Sequence, residues 1–151
     1  MVRTAMAILG DSADASDALQ DALTSIWLNL PSLRDAERFG VWSDRILVNA
    51  CRLTLRRRAR GRVRQISLDV VDPSRIPGAD PPDDGVADRM AFDGAFDRLD
   101  ADERAILAFH HLDDRPLAEI AAILGIPVGT AKSRLHTARR SLQRAMIEER
   151  R

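Results

Sequence analysis

The residues of this 151-residue chain best suited to chemistry are cations, and they gather in two places. The first is "RLTLRRRARGRVR", Arg52 to Arg64, with seven arginines and no acid. Guanidinium groups at that density suit phosphate, since each phosphate they neutralise releases a condensed counterion. Arg52, Arg56 and Arg57 open the patch. Just upstream, Trp42, Arg45 and Asn49 stand at i, i+3 and i+7, hence on one side of a helix. A ring, a cation and an amide in line match single-stranded bases, which offer stacking faces and unpaired edges. A tryptophan in such a position is more often a core residue than a stacking platform.

The second place is "EIAAILGIPVGTAKSRL", residues 119–135. An apolar helical pattern stops at Gly125, and Pro127 precedes a second run with Ala131, Leu135, Ala138 and Leu142 on its inner side. Two short helices joined by a glycine turn make a helix-turn-helix. The outer side of its second helix carries Thr130, Ser133, His136 and Arg140, flanked by Lys132 and Arg134, with almost no acid nearby. In DNA-binding units of this kind the start of that helix enters the major groove. Lys132 can reach guanine acceptors, Thr130 and Ser133 bases or phosphates, and Arg140 the backbone.

One acidic group stands apart. Asp14, Asp17 and Asp21 share a helical face, with Asp11 ahead of them and Gln20 between. Capping and compensation of the helix dipole account for part of this stripe. A protein docking site on an otherwise basic segment accounts for it equally. Catalytic chemistry finds little support. "HHLDD" at 110–114 resembles a metal cluster, but adjacent helical residues diverge by about 100°. There is no phosphate-cradling glycine loop and no nucleophile elbow. Cys51, the lone cysteine, permits no disulfide framework and reads as a small buried hydrophobe. These features predict a protein that is not an enzyme and carries neither cofactor nor metal.

The elements that must position these groups are all helical. "MVRTAMAIL" is a helix end closed by Gly10. The next helix has Ala15, Leu19, Ala22, Leu23, Ile26, Trp27 and Leu30 on one face, Asp14 as N-cap with Asp17 completing a capping box, and Pro31 as its stop. A long helix follows from Ala36, with Phe39, Trp42, Ile46, Ala50 and Leu53 on its core side. Residues 67–86 hold four prolines, two glycines and many aspartates without periodicity, which predicts a flexible acidic linker. Helices resume over 87–147, one of them opened by Asp100 with Glu103 three residues on. The expected fold is all-α: two small helical domains, 1–66 and 87–151, joined by the 67–86 linker.

Charge follows the same division. Residues 1–66 carry a net +4, residues 67–104 a net −7 and residues 105–151 a net +3, which cancel to zero. Two basic lobes around an acidic middle suit a nucleic-acid binder. No apolar run approaches a membrane span, and the N-terminus is a poor signal peptide, so a cytoplasmic protein without membrane association is expected.

Taken together these stretches resemble an RNA polymerase sigma factor of the extracytoplasmic-function class. "LDADERAILAFHHLDDRPLAEIAAILGIPVGTAKSRLHTARRSL", residues 99–142, is similar to the family's promoter-recognition domain, whose ending runs close to EIA-x-x-LG-x-x-x-GTVKSRLHRAR. "DASDALQDALTSIWLNLP" and "FGVWSDRILVNACRLTLRRRAR" resemble the domain that binds polymerase and opens DNA. The resemblance implies three partners: core RNA polymerase, promoter DNA and an anti-sigma factor. It implies that Asp14, Asp17, Gln20 and Asp21 dock on the polymerase clamp helices. It implies that Trp42, Arg45 and Asn49 face the non-template strand of the minus-ten element, and that the loop from Pro31 to Glu37 pockets a flipped base. Thr130, Lys132, Ser133, Arg134 and His136 match the helix reading the minus-thirty-five element. Three departures accompany the match. The chain begins late against the family pattern, so the family's first helix is largely missing; Leu53 stands where Asp or Asn is common; and Thr137 replaces a usual arginine. Two other readings remain open at this stage: a stand-alone helix-turn-helix repressor, and a decoy that binds an anti-sigma factor without directing transcription.

Overall fold

A computed structural model describes residues 1–65 and 84–149. Among these residues the chain is helical with no strand: α1 (Val2–Leu9), α2 (Ser12–Asn29), α3 (Phe39–Gln65), α4 (Asp84–Asp97), α5 (Ala101–His111), α6 (Leu117–Leu124) and α7 (Val128–Glu149). Two single turns of 3-10 helix, Leu30–Ser32 and Ala36–Arg38, join α2 to α3. Most of the expected linker lies outside the described residues. Its last three residues, 84–86, form the first turn of α4.

The helix ends follow local chemistry. Gly10 closes α1 at φ 70°, a left-handed conformation that favours glycine. Because that turn is so tight, α2 starts at once. Its N-cap is Asp11, whose carboxylate accepts from the Asp14 N–H at 2.9 Å, and the capping box expected from Asp14 and Asp17 does not form. Pro31 sits in the 3-10 turn where α2 stops. Asp100 and Glu103 form the predicted reciprocal capping box at the start of α5.

Packing corrects two of the apolar faces read from sequence. On α2 the buried strip is Ala15, Ala18, Ala22 and Ile26, while Leu23, Trp27 and Leu30 are exposed. Alanines let α2 approach α1 and α3 closely, and so narrow a contact leaves the bulky residues one step round the helix in solvent. On α3 the buried strip is Ser43, Asp44, Leu47, Val48 and Cys51. Phe39 and Leu53 are exposed, and Trp42, Ile46 and Ala50 are half-buried. The reason is that α3 is covered from two sides, by α1 and α2 on one and by α6 on the other.

The two helical lobes share one core. Ile8 and Leu9 of α1 and Leu47 and Val48 of α3 belong to the same buried cluster as Ile106 and Phe109 of α5 and Ile120 and Ile123 of α6. Burying each such side chain stabilises the fold by about 1.5–3 kcal/mol. Arg104 of α5, itself buried, donates to the carbonyls of Ile8 at 3.2 Å, of Leu99 at 3.0 Å and of Asp97. It thereby satisfies an orphan carbonyl at the end of α1 from the other lobe.

Candidate nucleic-acid interface

The helix-turn-helix forms as read. α6 stops at Gly125 (φ 70°, ψ 37°), whose N–H bonds back to the carbonyl of Ala122, and α7 begins three residues later. Ala131, Leu135 and Ala138 are buried against α5 and α6, which turns the opposite side of α7 outward. Lys132, Ser133, Arg134, His136 and Arg140 are exposed and Thr130 is half-buried. The Ser133 hydroxyl donates to the Thr130 carbonyl at 3.0 Å, so it is held by its own helix when nothing else is bound. Thr137, the departure from the family pattern, is exposed on the same side.

On α3 the ring of Trp42 lies 6.0 Å from that of Phe39, tilted by 46°. Arg45 and Asn49 are exposed. Arg52 is half-buried and bonded, its Nη1 donating to the Asn49 side chain at 3.4 Å. Arg56 and Arg57 are exposed further along. The loop from Pro31 to Glu37 lies ahead of this face and is held by short local bonds, Ser32 Oγ to the Asn29 carbonyl at 2.6 Å and the Glu37 N–H to Asp35 at 3.0 Å.

The acidic stripe of α2 lies beside the basic end of α3. Asp14 pairs with Arg58 at 3.2 Å and Asp21 with Arg57 at 3.8 Å, and Asp17 lines the same shallow cleft. Asp17, Gln20 and Asp21 are exposed, and Asp14 is half-buried.

Three residues outside the sequence reading organise this surface. Asp102, in the first turn of α5, accepts from Arg52 at 2.9 Å and 2.8 Å and from Arg134 at 3.1 Å. One carboxylate therefore joins a phosphate-binding candidate of each lobe. Arg115, between α5 and α6, donates to Asp44 of α3 at 2.7 Å and to Glu119 at 3.0 Å. Burial raises the Asp44 carboxyl pKa above its ordinary value, and Arg115 pulls against that rise. Burial also opposes the Arg115 charge, but Asp44 and Glu119 more than offset it and lift its pKa. Thr4 adds a further tie, donating to Asp113 at 2.8 Å. No local spacing signals Arg52–Asp102, Arg115–Asp44 or Thr4–Asp113, because those partners lie fifty or more residues apart.

Other groups stay outside the interface. The rings of His110 and His111 lie 4.5 Å apart, yet among the described residues no three His, Cys, Asp or Glu side chains are placed to hold a metal ion. Cys51 is fully buried, and burial pushes its thiol pKa up to about 11. A groove of about 860 Å³ between α1, α4, α5 and α7, lined by Met6, Phe92, Phe96 and Leu142 among others, contains none of the residues expected from sequence to bind DNA or polymerase. Among the described residues no helix is long and apolar enough to cross a membrane.

Comparison with known proteins accounts for both lobes. Residues 1–61 match the family described as Sigma-70 region 2, and residues 89–142 match Sigma-70, region 4. The chain is 31% identical over 149 residues to the ECF RNA polymerase sigma factor SigL of Mycobacterium tuberculosis, covering 97% of this chain and 82% of that one. It is 36% identical over 135 residues to SigM of the same organism, covering 89% and 65% respectively. Its fold is similar to that of the sigma factor RpoE from Bartonella quintana, solved in complex with the anti-sigma factor NepR. That match has a TM-score of 0.72 at 25% identity and covers 96% of this chain and 89% of RpoE. A helix-turn-helix behind an arginine-rich α3, in the order and extent of these relatives, leaves one assignment: the chain belongs to the extracytoplasmic-function class of RNA polymerase sigma factors, which bind core RNA polymerase and direct promoter recognition.

Proposed function

We propose that the two lobes divide promoter recognition between them. The first lobe, 1–66, docks on core polymerase through Asp14, Asp17, Gln20 and Asp21. It takes the opened minus-ten strand with Trp42, Arg45 and Asn49, lodges a flipped base in the loop from Pro31 to Glu37, and holds phosphates with Arg52, Arg56 and Arg57. The second lobe, 87–151, reads the minus-thirty-five duplex with Thr130, Lys132, Ser133, Arg134 and His136, while Arg140 holds the backbone. The observation that carries this reading is the α7 face. Its polar and cationic residues project from one outward side while Ala131, Leu135 and Ala138 are buried behind them. Such a face can enter a major groove as it stands. A solved relative holds an anti-sigma factor, which supports a partner of that kind for this chain too.

Two substitutions test the division. A good base contact is worth about 1–3 kcal/mol of discrimination. Lys132→Ala is expected to relax sequence preference at the upstream element and to leave strand opening intact once the complex has assembled. Asn49→Ala is expected to keep closed-complex binding while reducing permanganate-reactive thymines near the start site. Pre-melted promoter DNA should rescue Asn49→Ala and not Lys132→Ala. Loss of the same step in both variants would overturn the division.

A further inference from the structure

The recognition helix opens on a side chain that the fold does not use. Val128 is the first residue of α7 and is 51% exposed. Ile126, two residues earlier, packs on the shared core, and Ala131, three residues later, is fully buried. Val128 stands between them at the tip, where the turn passes into the helix. The Pro127 carbonyl accepts the first helical bond, from the Ala131 N–H at 2.9 Å. At the position after such a cap, proline or an acid favours the helix, whereas an exposed β-branched side chain adds nothing to it. The first turn of α7 holds no acid.

Two neighbours set what can approach this side chain. A Cβ on Gly129 would meet no atom within 4 Å, so the tip is open beside Val128. Lys132 is exposed at i+4, one turn further along the same side of the helix. Residues so spaced have Cβ atoms roughly 5–6 Å apart, which spans about two base-pair steps at about 3.4 Å each. In the major groove thymine presents a C5 methyl group that no other base has. An ammonium takes guanine acceptors, whereas an apolar side chain takes the methyl. The leading end of a recognition helix is the part that meets base edges.

We propose that Val128 is a specificity-determining residue, packing on the C5 methyl of a thymine within roughly two base pairs of the position that Lys132 contacts. It adds an apolar contact to a face whose other assigned contacts are polar. The inference rests on the reading of α7 as the minus-thirty-five helix.

The test uses the chain bound to core polymerase and a promoter duplex found by run-off transcription from genomic fragments. Each thymine of the upstream element, on either strand, is replaced in turn by deoxyuridine, which lacks only the methyl group. Competition binding of the closed complex gives the relative affinities. The wild type is expected to lose about three- to fourfold at one thymine, the worth of one buried methyl group. Val128→Ala should bind the unmodified promoter more weakly by a similar factor and respond by less than about 1.5-fold to deoxyuridine at that position. Val128→Thr keeps one of the two methyl groups in the same shape and should retain more of the response than Val128→Ala. A variant that merely weakened α7 would lose affinity yet keep the full wild-type response, and that result would overturn the proposal. So would the absence of a methyl effect at every thymine, or an effect far from the position where Lys132→Ala relaxes preference. Lys132→Ala also separates the two readings. Relaxed preference in Lys132→Ala, with the methyl response intact in Val128→Ala, would keep α7 as the reading helix and reject Val128. Unchanged preference in Lys132→Ala, with no methyl response anywhere, would reject both.

Discussion

The Arg115 guanidinium bonds to the Asp44 carboxylate at 2.7 Å, joining the loop before α6 to the buried side of α3. This pair is one of several ties between the two lobes, and burial disfavours the charge of its acid. Arg115, Asp113 and the amino terminus of Met1 are the charges that act on it.

Stability near this pair should vary with pH in a defined direction. Burial raises the Asp44 pKa above its ordinary value of 3.8, so the folded chain holds that proton more tightly than the unfolded chain does. The Asp44 contribution is greatest in acid and declines as pH rises through the raised folded pKa. Asp44→Asn removes the decline. Urea unfolding between about pH 3.5 and 6 should show the variant gaining on the wild type as pH increases. A difference that stays flat, or moves the other way, would mean that Arg115 outweighs burial.

Two glycines near the recognition helix should respond to alanine with opposite signs. Gly125 holds φ 70° in the turn, and an added Cβ would also press on Arg45. Gly125→Ala should cost about 1–2 kcal/mol. At Gly129, within α7, a Cβ meets nothing within 4 Å, so Gly129→Ala should stabilise by about 0.5–1 kcal/mol. Thermal unfolding followed by circular dichroism checks both, and a shift of the same sign in the two variants would refute the assignment.

Cys51 should serve as a reporter of unfolding. It is fully buried and its thiol pKa is pushed up to about 11, so little thiolate exists at pH 8 and none of it is accessible. Labelling by an aromatic disulfide reagent should be at least about 100-fold slower in the native chain than in urea. Rapid labelling under native conditions would show that the α2–α3 core opens locally.

Docking on polymerase should depend on the exposed part of the acidic stripe. Asp17→Lys with Asp21→Lys is expected to weaken binding to core polymerase by about tenfold or more. Unchanged capture in a pull-down, with helicity intact, would remove these residues from the docking face.

Much of this protein was legible in its sequence, because local chemistry decides it. Gly10, Asp100 with Glu103, and the Gly125–Pro127 turn mark helix ends through hydrogen bonds among near neighbours. The outward face of α7 follows from periodicity, since its buried alanines and Leu135 recur at helical spacing. Where tight turns or close packing intervened, the reading slipped. Asp11 capped α2 in place of Asp14, and Leu23 and Trp27 stood exposed beside an alanine strip.

The sequence by itself determined the helices, the helix-turn-helix and the polar outward face of α7, since each depends on residues within a few turns of one another. Only the tertiary structure decided that the lobes share a core, that α3 is covered from both sides and that Asp102 joins Arg52 to Arg134. Those outcomes rest on contacts between residues up to about a hundred positions apart. Such contacts form when apolar faces meet and leave charged groups within reach of one another. No local periodicity encodes them.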